Sequence, residues 1–288
     1  MKIKRAIRLF SKNLSVHFSI EVSKVKNGLL GALVAVMIMF LPACSQNTPS
    51  TEPTQLVSFD TEAIETEAPE TKICETIAAK PVHSRFYIPG VSVEDVILYF
   101  NEVCLDSEII NVGDPSYVQK WTVPIYYTLN GDYTDTDLAV LTDFEVWLNS
   151  IEGFPGIFPV EDLSTMNLRI HFCDQEELLL LMGPDFDNTD GAVTFWYDNN
   201  EIYDAIICYR TDLDQHLRNS VILEEIYNGL GPIQDTSIRP DSIIYQEFSQ
   251  PQWLSSIDEL LLQLLYHPDI QPGMDAQQCE EVIRRLYY

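Results

Sequence analysis

From about Arg85 onward, apolar and polar positions recur with helical or strand spacing in a definite order. Ser92, followed by Glu94 and then Val96, Ile97, Phe100 and Val103, predicts a first helix. Trp121 to Tyr127 reads as an extended run that closes on the turn pair Asn130-Gly131. Leu138, Leu141, Phe144, Trp147, Leu148 and Ile151 set out a second helix over Asp135 to Ile151. Leu168-Arg169-Ile170-His171-Phe172 alternates and so predicts a strand, with a short helix over Gln175 to Leu181 behind it. Ala192 to Tyr197 and Ile202 to Tyr209 are β-rich runs separated by Asn199-Asn200, which tolerate left-handed backbone angles; they form a hairpin. Three more helices are predicted over His216 to Leu230, Leu254 to Tyr266 and Ala276 to Leu286. This order describes one small α+β domain over residues 85–288, with a mixed sheet and a helical C-terminal part. Some 200 residues are enough to bury a sizeable core.

Upstream the pattern changes character. Leu29 to Leu41 is uninterruptedly apolar or small, about 20 Å as a helix at ~1.5 Å per residue, too short for a ~30 Å hydrocarbon core. Lys2, Lys4, Arg5, Arg8, Lys12, Lys24 and Lys26 precede it, against Glu21 alone, and Leu41-Pro42-Ala43-Cys44 ends it. A basic region, a short apolar segment and small residues before a cysteine form a bacterial lipoprotein signal over residues 1–43. Cys44 is then the lipidated residue, and two acyl chains on its diacylglyceryl thioether suffice for stable membrane anchoring. The expected location is the cell membrane, on its extracytoplasmic face, with the outer membrane open to it in a two-membrane cell because Ser45 follows the cysteine. From Ser45 to about Val82 the chain is rich in Thr, Glu, Pro and Ser and too poor in large apolar residues to offset ordering entropy. Residues 44–84 are therefore expected to be a disordered tether.

Charge sharpens the choice of partners. The chain holds 17 Lys+Arg against 44 Asp+Glu; seven of the bases and one of the acids precede Cys44, so 10 stand against 43 after it, a net of −33. Such a surface repels nucleic acid and anionic headgroups, and binding to nucleic acid is excluded on that ground. Lipidation of Cys44 leaves Cys74, Cys104, Cys173, Cys208 and Cys279, with no Cys-x-x-Cys among them. That argues against thiolate zinc and thioredoxin-like chemistry, and most of these are expected to be buried free thiols.

One stretch carries candidate chemistry. In Val221-Ile222-Leu223-Glu224-Glu225-Ile226-Tyr227-Asn228-Gly229-Leu230-Gly231, the residues Ile222, Leu223, Ile226 and Leu230 share a helix face at 100° per residue. Glu224 and Asn228 project together from the opposite face with Glu225 at its edge, a polar face expected to meet water. Gly231 lets the backbone turn sharply at the helix end. The spacing copies the frame His-Glu-x-x-His-x-x-Gly, with Glu224 and Asn228 in place of the two zinc histidines and Glu225 where the general base stands. Amide and carboxylate oxygens are poor replacements for imidazole on zinc. None of His17, His83, His171, His216 or His267 lies in the motif. An oxygen-only cation such as calcium, held by Glu224, Glu225 and Asp235, is chemically easier. Asp185 to Gly191 has the look of a calcium loop, but its Gly comes one place late, and it reads as the turn into the hairpin. No Gly-x-Ser-x-Gly elbow and no Gly-Lys-Ser phosphate loop occurs.

The motif helix, Gln234-Asp235, Asp241-Ser242-Ile243-Ile244, Tyr266-His267-Pro268 and Gln271-Pro272-Gly273-Met274 together resemble the bacterial domain of unknown function family numbered 2927. Tyr99-Phe100-Asn101-Glu102 and Lys120-Trp121 through Pro124-Ile125 match its upstream signature, so the resemblance spans roughly Ser92 to Met274. Members of that family usually carry Gln where this chain has Asn228, and Asn-Asp where it has Gln234-Asp235. The resemblance implies predicted lipoproteins with a fold similar to zincin metalloproteases, an edge strand and hairpin leading into the motif helix, and no assigned activity. The expectation is a membrane-anchored lipoprotein whose degenerate zincin-like domain binds an extended peptide or envelope protein and needs no cofactor. The rival is a metal-dependent, peptidase-like hydrolase with Glu225 as general base and Glu224, Asn228, Gly231 and Asp235 around the site.

Overall fold

The computed structural model describes residues 7–11, 84–105 and 117–287. The signal segment apart from residues 7–11, Cys44, Cys74, His17, His83 and the tether up to residue 83 lie outside the described residues. The chain is α+β. Its strands are β1 (Ile7–Ser11), β2 (Lys120–Trp121), β3 (Ile125–Gly131), β4 (Ile157–Pro159), β5 (Leu168–Cys173), β6 (Gly191–Asp198) and β7 (Glu201–Arg210). Its helices are α1 (Val93–Leu105), α2 (Asp135–Leu148), α3 (Gln175–Met182), α4 (Gln215–Gly229), α5 (Ser256–Leu265) and α6 (Ala276–Tyr287).

The strands form one mixed sheet in the order β1-β6-β7-β5-β3-β4, with β2 pairing to the start of β7. Every pairing is parallel except the β6–β7 hairpin. Asn199 and Asn200, at φ 51° and 65°, make its two-residue turn, the left-handed pair such a hairpin needs. Sheet residues alternate between two apolar layers. Val193, Phe195, Ile207 and Tyr209 join the main core, where α1, α2, α4, α5 and α6 also bury their apolar residues. Ala192, Ile206 and Cys208 face a second, smaller core closed by Leu178 and Met182 of α3 and by Phe186.

Predicted and observed elements agree closely, and the departures have physical causes. The extended run at Trp121 splits into β2 and β3 around Thr122–Pro124, where proline has no N–H to offer a ladder. Asn130 and Gly131 are the last paired residues of β3, opposite His171 and Phe172, so the chain turns into a helix rather than a hairpin. A Cβ on Gly131 would lie 1.9 Å from the Phe172 carbonyl oxygen, which is why glycine stands there. Helix α2 stops three residues short of Ile151 because the Asn149 side chain clamps Ile157, donating to its carbonyl at 2.9 Å and accepting from its N–H at 2.8 Å. The three-residue β4 thus forms at the sheet edge without a sequence signal of its own, and β1 pairs at the other edge.

Cys104, Cys173, Cys208 and Cys279 are free and buried. No helix among the described residues is long and apolar enough to cross a membrane.

Candidate functional site

Helix α4 is where the motif lies, and its surroundings differ from the expected half-solvated face. Asp214 caps it by accepting from the Leu217 N–H at 3.1 Å. One turn in, Arg218 is buried against Asp137 of α2, Nε to Oδ1 2.8 Å, and its other nitrogens reach the Thr211 carbonyl and Gln215 Oε1 at 2.9 Å. Burial pushes the Asp137 carboxyl up, but hydrogen bonds from Gln215, Thr134 and Arg218 outweigh that and hold it below its ordinary value. Farther along, nearly every residue of α4 is buried, the polar ones included.

Glu224 and Glu225 are each 2 % exposed and Asn228 is 1 % exposed. The polar face therefore does not meet water; the reading of an ordinary amphipathic helix fails because packing covers α4 on all sides. Glu225 lies under the start of the hairpin: a Cβ on Gly191 would stand 2.8 Å from both Cγ and Oε1 of Glu225 and 2.6 Å from Val221 Cγ1. Gly191 is what lets β6 sit directly on the helix at this point. One turn later Gly229 does the same beneath Ile207 and Val193, whose methyl groups lie 3.4 Å from where a Cβ on it would stand. Burial raises the Tyr209 hydroxyl well above its usual pKa, and the Glu225 charge adds to it. The Asn228 Oδ1 is buried with no hydrogen-bond partner among the described residues.

The C-terminal end of α4 is held by aromatic donors from distant parts of the chain. Trp121 Nε1 donates to the Gly229 carbonyl at 2.9 Å and Tyr266 Oη to the Leu230 carbonyl at 2.8 Å. Such bonds satisfy carbonyls that a helix end leaves open. Gly231 then turns at φ +127°, with the Gln119 carbonyl oxygen 2.4 Å from where a Cβ would be. The chain continues along α1, where the Ile233 N–H donates to the Val103 carbonyl at 2.7 Å. Glu102 accepts from Thr236 Oγ1 at 2.5 Å and from the Ser237 N–H at 2.8 Å. Asp235 is half-buried on this stretch.

Three groups that sequence reasoning did not assign a role complete the frame. Asp258, fully buried, caps α5 through Ser255 and accepts from Tyr99 Oη at 2.6 Å, Ser242 Oγ at 2.7 Å and the Ile243 N–H at 2.9 Å. Lys120, also buried, donates from Nζ to the Leu265 carbonyl at the end of α5, at 2.9 Å, and to the Ile270 carbonyl in the loop that follows. The third is the Asp137–Arg218 pair. The signal for Asp258 was present as a capping pattern, Ser255 three residues before an acid, but such a pattern shows only a helix start.

Among the described residues no three His, Cys, Asp or Glu side chains gather closely enough to hold a metal ion. His267 stays with its own turn, its Nδ1 accepting from the Asp269 N–H at 3.1 Å and its ring edge-on to Phe86. Asp185 to Gly191 forms a 3-10 turn and bend that leads into β6, as expected.

An α+β chain in which a parallel sheet carries one terminal hairpin, and that hairpin feeds a buried polar helix, defines the class. The chain belongs to the family described as Protein of unknown function (DUF2927), whose model matches residues 94–285. No curated protein and no solved structure matches it. The matched span holds every residue just described around α4, from Tyr99 and Glu102 to Tyr266.

Proposed function

We propose that this protein is a membrane-tethered extracytoplasmic binding module, anchored by lipid on Cys44, whose degenerate zincin-like domain accepts an extended peptide by strand addition at the hairpin. The observation that carries this reading is the pairing of β1 with the outer edge of β6. Five residues of extended chain lie in parallel along that edge, from Ile7 opposite Val193 to Ser11 opposite Tyr197. They precede Cys44, so processing at that cysteine removes them and leaves β6 as an edge strand. An edge offers a row of backbone donors and acceptors, the template that strand addition uses without any metal. The replacement of imidazole by Glu224 and Asn228 supports binding over hydrolysis, and so does the enclosure of Glu225 beneath Gly191.

The test uses the processed chain, extracted from membranes in detergent and exposed to a library of extended peptides. Peptides should be retained with a Kd of roughly micromolar and recovered uncut. The Cys44→Ser chain should keep its leader and lose its lipid by mass spectrometry. Peptide cleavage that disappears in Glu225→Gln, or no retention of any peptide, overturns the reading.

A further inference from the structure

Helices α1, α2, α4, α5 and α6 all bury their apolar residues on one side of the sheet, in the main core. Among the described helices, only α3 and the 3-10 turn behind it place residues in the smaller core on the other side. Alternation along the strands sets what else that side presents. Tyr127, Ile170, Ala205 and Phe195 point into the main core, so their neighbours Tyr126, Arg169, Asp204 and Trp196 point away from it. These four stand on adjacent strands in the order Trp196 (β6), Asp204 (β7), Arg169 (β5), Tyr126 (β3), and Phe158 of β4 is registered beyond Tyr126. The row is partly open to solvent. Phe158 is 43 % exposed, and the Asp204 and Arg169 side chains keep 36 % and 31 % of their surface. Arg169 Nη2 donates to Asp204 Oδ2 at 2.7 Å, and the guanidinium carbon lies 5.6 Å from the Trp196 ring centroid. The Tyr126 and Phe158 rings pair at 6.3 Å. Trp, Tyr, Phe and Arg are the residues that protein interfaces concentrate, and a partly exposed row of them marks an interaction surface.

The order of the row points to its occupant, because aromatic, acid, base, aromatic is self-complementary under a two-fold axis. With that axis parallel to the strands and between β7 and β5, β7 of one copy faces β5 of the other, and β6 faces β3. We propose that two copies of this chain associate through this face, sheet on sheet, about that axis. Asp204 of each copy meets Arg169 of the other, so the two ion pairs close into one cluster of four charges. Trp196 of each copy packs on Tyr126 of the other. Packed sheets stand about 10 Å apart with strand directions within about 30° of each other, a gap that these long side chains fill. The net charge of −33 beyond Cys44 opposes pairing. The two charges of the row cancel, however, and 0.15 M salt screens the rest within about 8 Å. Strand addition concerns the edge of the sheet rather than its face, so the two readings stand or fall separately.

The processed chain in detergent is followed by sedimentation velocity in 0.15 M salt at about 1–100 μM. The parent should pass from one copy per particle to two with a Kd on the order of 10 μM. Trp196→Ala should weaken this about tenfold or more. Arg169→Asp and Asp204→Arg, each alone, set like charges opposite each other across the axis and should remain monomeric. Mixed in equal amounts they restore both opposite-charge contacts and should form a mixed dimer. Every variant carries the same lipid in the same micelle, so any difference between them belongs to the face. A parent that stays monomeric at 100 μM overturns the proposal. So do charge variants that associate as the parent does, or folded ones that fail to pair on mixing. If either charge variant does not fold by circular dichroism, Trp196→Ala and Tyr126→Ala decide, and unchanged association in both of them overturns the proposal.

Discussion

Lys120 shows how a single side chain couples distant segments. Its ammonium is buried, with the Tyr266 ring centroid 5.7 Å away and the carbonyls of Leu265 and Ile270 as acceptors. The Leu265 carbonyl is the last of α5, where a positive charge is favoured by the helix dipole. Burial nonetheless pulls the Lys120 pKa down to about 8 from 10.5. The neutral form is therefore the one the fold favours. Between about pH 8 and 10.5 the unfolded chain holds a proton that the folded chain has released, so this residue's contribution to stability grows with pH across that window. At about 1.36 kcal/mol per unit, the gain approaches about 3 kcal/mol. Urea unfolding of the parent and Lys120→Met at a series of pH values should show the parent gaining on the variant by that amount between pH 8 and 10.5. A pH-independent difference would refute it. Gly231 is the second such residue: at φ +127° with a backbone oxygen 2.4 Å from a would-be Cβ, Gly231→Ala is expected to lower stability by roughly 2 kcal/mol or more, read as a drop in Tm.

At the scale of elements, helix α4 is held by its two ends. The buried Asp137–Arg218 pair ties its first turn to α2, and Trp121 and Tyr266 hold its last carbonyls. Removing one partner of a buried pair leaves a desolvated charge, at about 3–5 kcal/mol. Asp137→Ala should therefore unfold at markedly lower urea than the parent. Because Asp137 titrates below its ordinary value in the folded chain, its stabilisation is present above about pH 3.8 and fades as pH falls further. The penalty of the variant should shrink in acid accordingly, and a constant penalty would show that the charge is irrelevant. The elements themselves were legible because periodicity is a local property: each helix from α1 to α6 and the hairpin follow from spacings of two or 3.6 residues. The short strand β4 was not, since three residues, Ile157-Phe158-Pro159, carry no period and are placed by the Asn149 clamp. Nor was the burial of Glu224, Glu225 and Asn228. Helix periodicity separates a polar from an apolar face, but whether water or another element lies beyond the polar one is decided by segments far away in sequence. Here β6 presses on it through Gly191, a residue whose lack of a side chain leaves no trace in any hydrophobic pattern.

At the scale of the whole molecule, charge is the dominant feature that local pattern does not contain. Ten basic residues beyond Cys44 face 43 acidic ones, and several of the ion pairs among the described residues are exposed pairs, such as Arg284 with Glu94 and Glu280. Exposed pairs contribute little, so the acidic excess acts mainly as self-repulsion that opposes the compact state. Salt should relieve it, because the screening length falls from about 30 Å at 0.01 M to about 3 Å at 1 M. The same experiment separates screening from a specific cation site at Glu224, Glu225 and Asp235. Screening depends on ion valence alone, whereas a site of protein oxygens accepts calcium and resists magnesium, whose small octahedral shell is costly to strip. Magnesium and calcium chloride at equal concentration should therefore raise the Tm of the processed chain equally. An extra rise with calcium would obey the linkage of a ligand that binds the folded form alone. If that extra rise also vanished in a Glu224→Gln variant, it would mean that these buried carboxylates gather around a cation after all.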